Sequence, residues 1–172
     1  MPSQVLRSHN SQSLDQALRA AQKACEQDGS KFTELREQVL RIIWQAGKPI
    51  GAYEIIAELE QLSGRTKIGP PTVYRTLEFL QRLELIHRVH SLNAFLARNQ
   101  TRAGSMPALF ICRKCKQANE VVNSVFQQAV NLSANEMKFQ VDEQMLEVLG
   151  LCQHCRRSDE AIKTSQTSFR NS

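Results

Sequence analysis

Four of the five cysteines in this 172-residue chain form two C-x-x-C pairs, Cys112 with Cys115 and Cys152 with Cys155, and 36 residues separate Cys115 from Cys152. Two intervening residues let both thiolates of a pair face one ion, and two such pairs complete a tetrahedral shell around Zn²⁺, with Zn–S distances of about 2.3 Å. A shell of four thiolates leaves no position for water. The site they predict is therefore structural rather than catalytic, and metal binding adds directly to the folding free energy of a small domain. The competing reading is two redox dithiols. Against it, neither pair is expected at the N-terminus of a helix that follows a strand, the placement thioredoxin-like chemistry uses. Cys25 is expected on the apolar face of a helix as an inert core residue.

The elements that position these cysteines follow from hydrophobic spacing. Residues 12 to 27 carry Leu14, Ala17, Leu18, Ala21, Ala24 and Cys25 at helical intervals before an Asp28-Gly29-Ser30 break. Thr33 reads as the N-cap of a second helix with apolar face Leu35, Val39, Leu40, Ile43 and Trp44, ended by Gly47 and Pro49. A third helix is expected from about Ala52 to Leu62, then a basic loop from Ser63 to Gly69. Pro70 and Pro71 suit a helix entrance and precede a fourth helix from about Thr72 to Leu83. Val73, Leu77 and Leu80 face inward there, so Arg75, Glu78 and Arg82 form an outward stripe. Leu85 to Val89 and Ala94 to Ala97 read as a hairpin around Ser91-Leu92-Asn93.

Helices followed by a hairpin, with the last helix basic on its outer side, give the outline of a winged helix-turn-helix over residues 1–97, with an N-terminal arm of about 1–11. Residues 98–107 have no periodicity and read as a hinge. A second domain, 108–157, is expected as a small α+β unit. Its strands are Ala108 to Cys112, about Ala118 to Val122, around Phe139 to Val141 and Met145 to Leu151, with a helix from Ser124 to about Asn135. The long spacer between the cysteine pairs then lets one metal pin the first strand of this domain to its last. Residues 158–172 are polar and are expected to be disordered.

The chain is 41% hydrophobic and 23% charged with a net charge of +5, which permits contact with an anionic polymer without demanding it. No apolar stretch approaches the roughly 18 residues of a membrane helix, and Met1 to Gln22 lacks the apolar core of a secretory signal. A cytoplasmic location is expected, where paired cysteines more often bind metal than form disulfides. Only four histidines are present and no nucleophile-base motif accompanies them, so a zinc hydrolase is excluded in favour of a binding function. A zinc-stabilised protein-interaction module without DNA binding is the remaining competing class.

With these residues in hand, the chain resembles the ferric uptake regulator family, and within it the zinc uptake regulator branch. The strongest segment is Gly69 to Leu80, GlyProProThrValTyrArgThrLeuGluPheLeu, similar to the family's recognition helix. Thr33-Glu34-Leu35-Arg36, Gly51-Ala52-Tyr53, the LeuIleHisArgVal strand and the PheIleCysArgLysCys knuckle fall in family order. The resemblance implies a homodimer that binds a palindromic DNA operator in response to a regulatory metal and represses metal-uptake genes. It implies Arg75 and Tyr53 as the base- and groove-contacting pair. Arg75 suits a bidentate contact with guanine, worth about 1–3 kcal/mol of discrimination. Arg36, Arg65, Lys67, Thr72, Tyr74 and Arg82 are candidates for phosphate contacts, which position without specifying.

The resemblance also implies a second, regulatory zinc site, and here the sequence departs from it. His87 and Glu120 match two of its four ligands, but Arg98 and Ser105 stand where a cysteine and a histidine are expected. Two expectations follow. Either zinc sensing is lost, with the Arg98 cation standing in for the ion against Glu120, or a modified site forms from His87, His90, Glu120 and a ligand from the other protomer.

Overall fold

The computed structural model describes residues 13–63, 68–98, 107–141 and 144–158. The chain divides into two compact units, Met1–Ser105 and Met106–Ser172.

In the first unit, helix α1 (Leu14–Gln27) opens on a capping box: Ser13 Oγ accepts from the Gln16 N–H, and Gln16 Oε1 accepts from the Ser13 N–H. Helix α2 (Glu34–Ala46) opens on Thr33, whose Oγ1 accepts from the Arg36 N–H, and stops at Gly47 with φ +60°. Strand β1 (Ile50–Gly51) leads straight into α3 (Ala52–Ser63), and α4 (Pro70–Arg82) carries its two prolines in the first turn, where their missing N–H groups leave nothing unsatisfied. Strands β2 (Ile86–Val89) and β3 (Ala94–Ala97) are joined by a 3-10 turn and Asn93 at φ +46°.

The sheet order is β1-β3-β2, with Ile50 and Arg88 both opposite Phe95. β1 was not expected, because two residues cannot display the period-two alternation that marks a strand. Its pairing makes the hairpin a three-stranded wing. Val39, Ile43, Ile55, Leu59, Val73, Leu77 and Leu80 form the core on which the helices and this sheet close. Cys25 lies within α1 and is buried, as its spacing predicts.

In the second unit, β4 (Pro107–Cys112) is the central strand, antiparallel to β5 (Ala118–Val122) and parallel to β6 (Leu146–Gly150). The connection to β6 carries α5 (Ser124–Glu136), capped by Asn123 Oδ1 on the Val125 N–H at 2.9 Å and packed with Phe126 against Phe110. Residues 139–141 are not a strand, which corrects the expectation there. Lys138 has φ +54°, and the Lys138 and Phe139 N–H groups donate to the Asn135 and Ala134 carbonyls at 3.1 and 2.8 Å. These two bonds close the helix in a Schellman motif and take the groups a ladder would need. Residues 153–158 form a short helical turn after β6. Cys152 therefore does lie between a strand and a helix, contrary to the expectation from sequence.

Candidate nucleic-acid interface and metal centre

The four cysteines converge from three places: Cys112 ends β4, Cys115 lies in the turn after it, and Cys152 and Cys155 belong to the short turn that follows β6. Because β6 pairs in parallel with β4, with Gly150 opposite Cys112, the two knuckles arrive at the same end of the sheet. All four sulfurs lie within 4.8 Å of one another, and Cys115 Sγ is 3.8 Å from Cys152 Sγ. A regular ZnS₄ tetrahedron with bonds of about 2.3 Å has edges of about 3.8 Å, so the donors fit zinc in kind, number and separation. The Cys152 N–H donates to Cys112 Sγ, and the Cys155 N–H to Cys152 Sγ, each at 3.4 Å.

The electrostatics of the thiols agree. Burial pushes the Cys112 thiol up, but N–H groups of Cys152, Cys115 and Lys114 outweigh it and bring the thiol down to about 6. Burial, reinforced by the three neighbouring thiols, pushes Cys155 up to about 12. The Gln117 N–H lowers Cys115, but burial and the Cys112 thiol raise it further. Four such groups ionise together only against a cation, and a divalent ion held by all of them compensates charge that one thiolate alone cannot share. Cys112, Cys115, Cys152 and Cys155 are the residues that would hold Zn²⁺, which supplies a structural cross-link there.

In the first unit, α4 buries Val73, Thr76, Leu77 and Leu80 and exposes Thr72, Tyr74, Arg75, Glu78 and Arg82. Thr76 turns its hydroxyl back to the Thr72 carbonyl at 2.9 Å, so a polar residue sits on the inner face at no cost in unsatisfied groups. Tyr53, in the first turn of α3, is 77% exposed and Tyr74 39% exposed. Both line a groove of about 320 Å³ whose other walls include Glu78 of α4 and Arg88 and Asn93 of the wing. Thr72, Tyr74, Arg75 and Tyr53 are thus available to a ligand.

Arg36 and Arg82 are engaged inside the domain. The Arg36 guanidinium lies 3.3 Å from the centre of the Phe79 ring and donates to the Lys31 carbonyl. Arg82 stands 5.2 Å from the same ring and makes a two-pronged bond to Asp28, at 2.6 and 3.1 Å. That guanidinium, with the Ser30 side chain, holds the Asp28 carboxyl below the usual carboxylate range. Spacing on α4 identifies Arg82 as outward but carries no sign of Asp28, 54 residues away in sequence. Arg65, Lys67 and Ser105 lie outside the described residues.

His87 is half-buried on β2 and engaged elsewhere, but its buried Nε2 meets no hydrogen-bond partner among the described residues, and His90 is exposed in the 3-10 turn. Glu120 is half-buried on β5 of the other unit. Arg98, just past β3, is 9% exposed. Its N–H donates to the Leu85 carbonyl at 3.0 Å, and its Nη1 meets Glu84 Oε2 at 2.6 Å. Sequence reasoning matched Arg98 with Glu120 and missed Glu84, which no motif marks.

Among the described residues no helix is long and apolar enough to cross a membrane. The model of the ferric uptake regulator family matches residues 27–149. The zinc uptake regulation protein of Escherichia coli (strain K12) is 31% identical over 139 residues, covering 80% of each chain. The ferric uptake regulation protein of Campylobacter upsaliensis is 27% identical over 143 residues, 82% of this chain and 90% of that one. Among solved structures, a zinc uptake regulator complexed with zinc and DNA superposes with a TM-score of 0.78 at 27% identity, over 87% of this chain and 99% of that one. Holo XcZur superposes at 0.73 with 34% identity, over 84% and 99%. The winged-helix unit followed by a small α+β unit with a four-cysteine zinc site is therefore the fold of this chain, which belongs to the ferric uptake regulator family.

Proposed function

We propose that the protein is a cytoplasmic, homodimeric DNA-binding repressor of metal-uptake genes, zinc uptake foremost, that acts by binding and carries no catalytic centre. The observation that carries this reading is the outward face of α4. It leaves Thr72, Tyr74 and Arg75 exposed, Tyr74 lining a groove together with Tyr53, in a chain similar over most of its length to a regulator solved with zinc and DNA. α4 enters the major groove, Arg75 reads guanine through paired donors, and Thr72 and Tyr53 hold the register. Arg36 and Arg82 act through Phe79 and Asp28, bracing α4 rather than meeting phosphate. The second unit supports a dimer. Leu132, Met137, Phe139 and Leu149 are between 55% and 70% exposed, and β6, which carries Leu149, is an edge strand of the described sheet.

The test is selection of duplexes from a random pool by the zinc-loaded protein, followed by affinity measurements with Arg75→Ala. Loss of preference at a G·C pair by about 1–3 kcal/mol supports the reading. Selection that enriches no sequence contradicts it.

A second reading, favoured by the Arg98–Glu84 pair, is that DNA binding does not respond to zinc. A permanent cation already occupies the end of β3, on the same side as Leu96, which pairs with His87. Operator affinity unchanged by a chelator that leaves the four-cysteine zinc in place supports this reading. A chelator response that His87→Ala abolishes favours the modified site of His87, His90 and Glu120 instead.

A further inference from the structure

We infer that Arg88, on the wing, is a phosphate-contacting residue that fixes how α4 sits on its duplex; this rests on the DNA-binding reading above. Arg88 and Phe95 are register partners on β2 and β3, so their side chains leave the same face of the sheet. Phe95 is buried in the core, and Ile86, two residues before Arg88 on that face, is also buried. Arg88 breaks this sequence by being exposed, and it forms a wall of the groove shared with Tyr53, Tyr74 and Glu78.

Its chemistry separates it from the cations around it. Arg82 is tied to Asp28 and Arg98 to Glu84, whereas Arg88 makes no ion pair or hydrogen bond among the described residues. Among the described residues, Arg75 of α4 and Arg88 of β2 are the two guanidinium groups of α4 and the wing strands without such a partner. Two carboxylates, Glu78 and Glu54, line the same groove as Arg88, and Glu54 already accepts the Gly51 N–H at 2.9 Å. Their charge disfavours phosphate inside the groove, so the exposed Arg88 guanidinium meets it from the solvent side. A helix seated in the major groove is flanked by the sugar-phosphate backbone. The wing wall therefore lies over phosphate, the anion that a planar, permanently charged guanidinium grips with two parallel bonds.

The test uses the zinc-loaded full-length protein, a duplex that it selects from a random pool, and an unrelated duplex of equal length. Arg88→Gln keeps the stem and removes the charge. The expected result is weaker binding to both duplexes with their ratio unchanged, and a slope of log K against log salt reduced by about 0.9 per protomer. Arg88→Lys is expected to recover most of the slope. Unchanged affinity and slope in Arg88→Gln, with an unchanged unfolding midpoint, overturn the inference alone. So does a relaxed sequence preference at constant slope, which would make Arg88 a base reader. Wild-type protein without salt-dependent binding overturns the DNA-binding reading and this inference together.

Discussion

Arg98 and Glu84 meet at 2.6 Å across the base of the wing, and Glu84 does so from a left-handed backbone, φ +55°. That conformation belongs to the end of α4. The Glu84 and Leu85 N–H groups donate to the Gln81 and Leu80 carbonyls, each at 2.9 Å, which closes the helix in a Schellman motif with Leu80 and Leu85 both buried. The helix that carries Arg75 is thus fastened, through its own cap, to the residue where the chain leaves the wing. The Arg98 side chain is 11% exposed and that of Glu84 67%, so solvent screens the pair from one side. A double-mutant cycle with Glu84→Gln and Arg98→Met is expected to give a coupling of about 1 kcal/mol in urea unfolding. A coupling indistinguishable from zero would show that the pair does not fasten the helix.

The Asp28–Arg82 bond joins the end of α1 to the end of α4 and sets a pH dependence. Arg82 lowers the Asp28 pKa in the folded state, so the unfolded chain takes up the proton first. Stability from this bond is fully present above the unfolded value of about 3.9 and is lost as pH falls through the depressed folded value. Asp28→Asn is therefore expected to unfold at lower urea than wild type at pH 7, with the gap narrowing below about pH 4. A gap that stays constant through that range would assign the difference to something other than the charge.

Removing a cysteine ligand tests the metal centre. Protein purified without added metal is expected to hold about one zinc per chain, and Cys112→Ser and Cys155→Ser are expected to hold much less. Loss of structure should then be confined to the second unit, where the knuckles and the β4–β6 ladder join β4 to the turn after β6. Amide exchange that quickens in β4 and β6 while α2 and α4 keep their protection is the expected pattern. Full zinc content in both variants would exclude the four-cysteine shell.

The Phe79 ring supports Arg36, so Phe79→Leu is expected to cost about 0.5–1 kcal/mol beyond its loss of apolar area. Because the same ring adjoins Arg82, Arg36→Met in the Phe79→Leu background should cost less than it does in wild type. Equal cost of Arg36→Met in both backgrounds would dissociate the arginine from the ring.

Much of this architecture is legible in the chain. Each helix of the first unit carries three- and four-residue apolar spacing strong enough to locate it, and Ser13, Thr33, Gly47 and the Pro70-Pro71 pair mark ends by mechanisms that act locally. The doubled C-x-x-C needs no neighbours to be read, since its geometry is fixed within four residues. What escapes is non-local or too short. β1 exists because β3 offers it a ladder, and residues 139–141 fail as a strand because α5 claims the Phe139 N–H. Outward placement of Arg36 and Arg82 follows from periodicity, but their engagement with Phe79 and Asp28 depends on how α1, α2 and α4 cross. The same holds for Arg98, whose partner Glu84 is brought beside it only by the pairing of β2 with β3.

The proposed reading of DNA sequence by α4 is open to direct measurement. The most direct measurement is fluorescence anisotropy of the zinc-loaded protein on a self-selected duplex and on an unrelated duplex, across a range of salt concentrations. The prediction is affinity that falls steeply with salt and favours the selected duplex by about a thousandfold or more. Weak association, indifferent to salt and to sequence, would contradict it and leave a zinc-stapled protein-interaction module in its place.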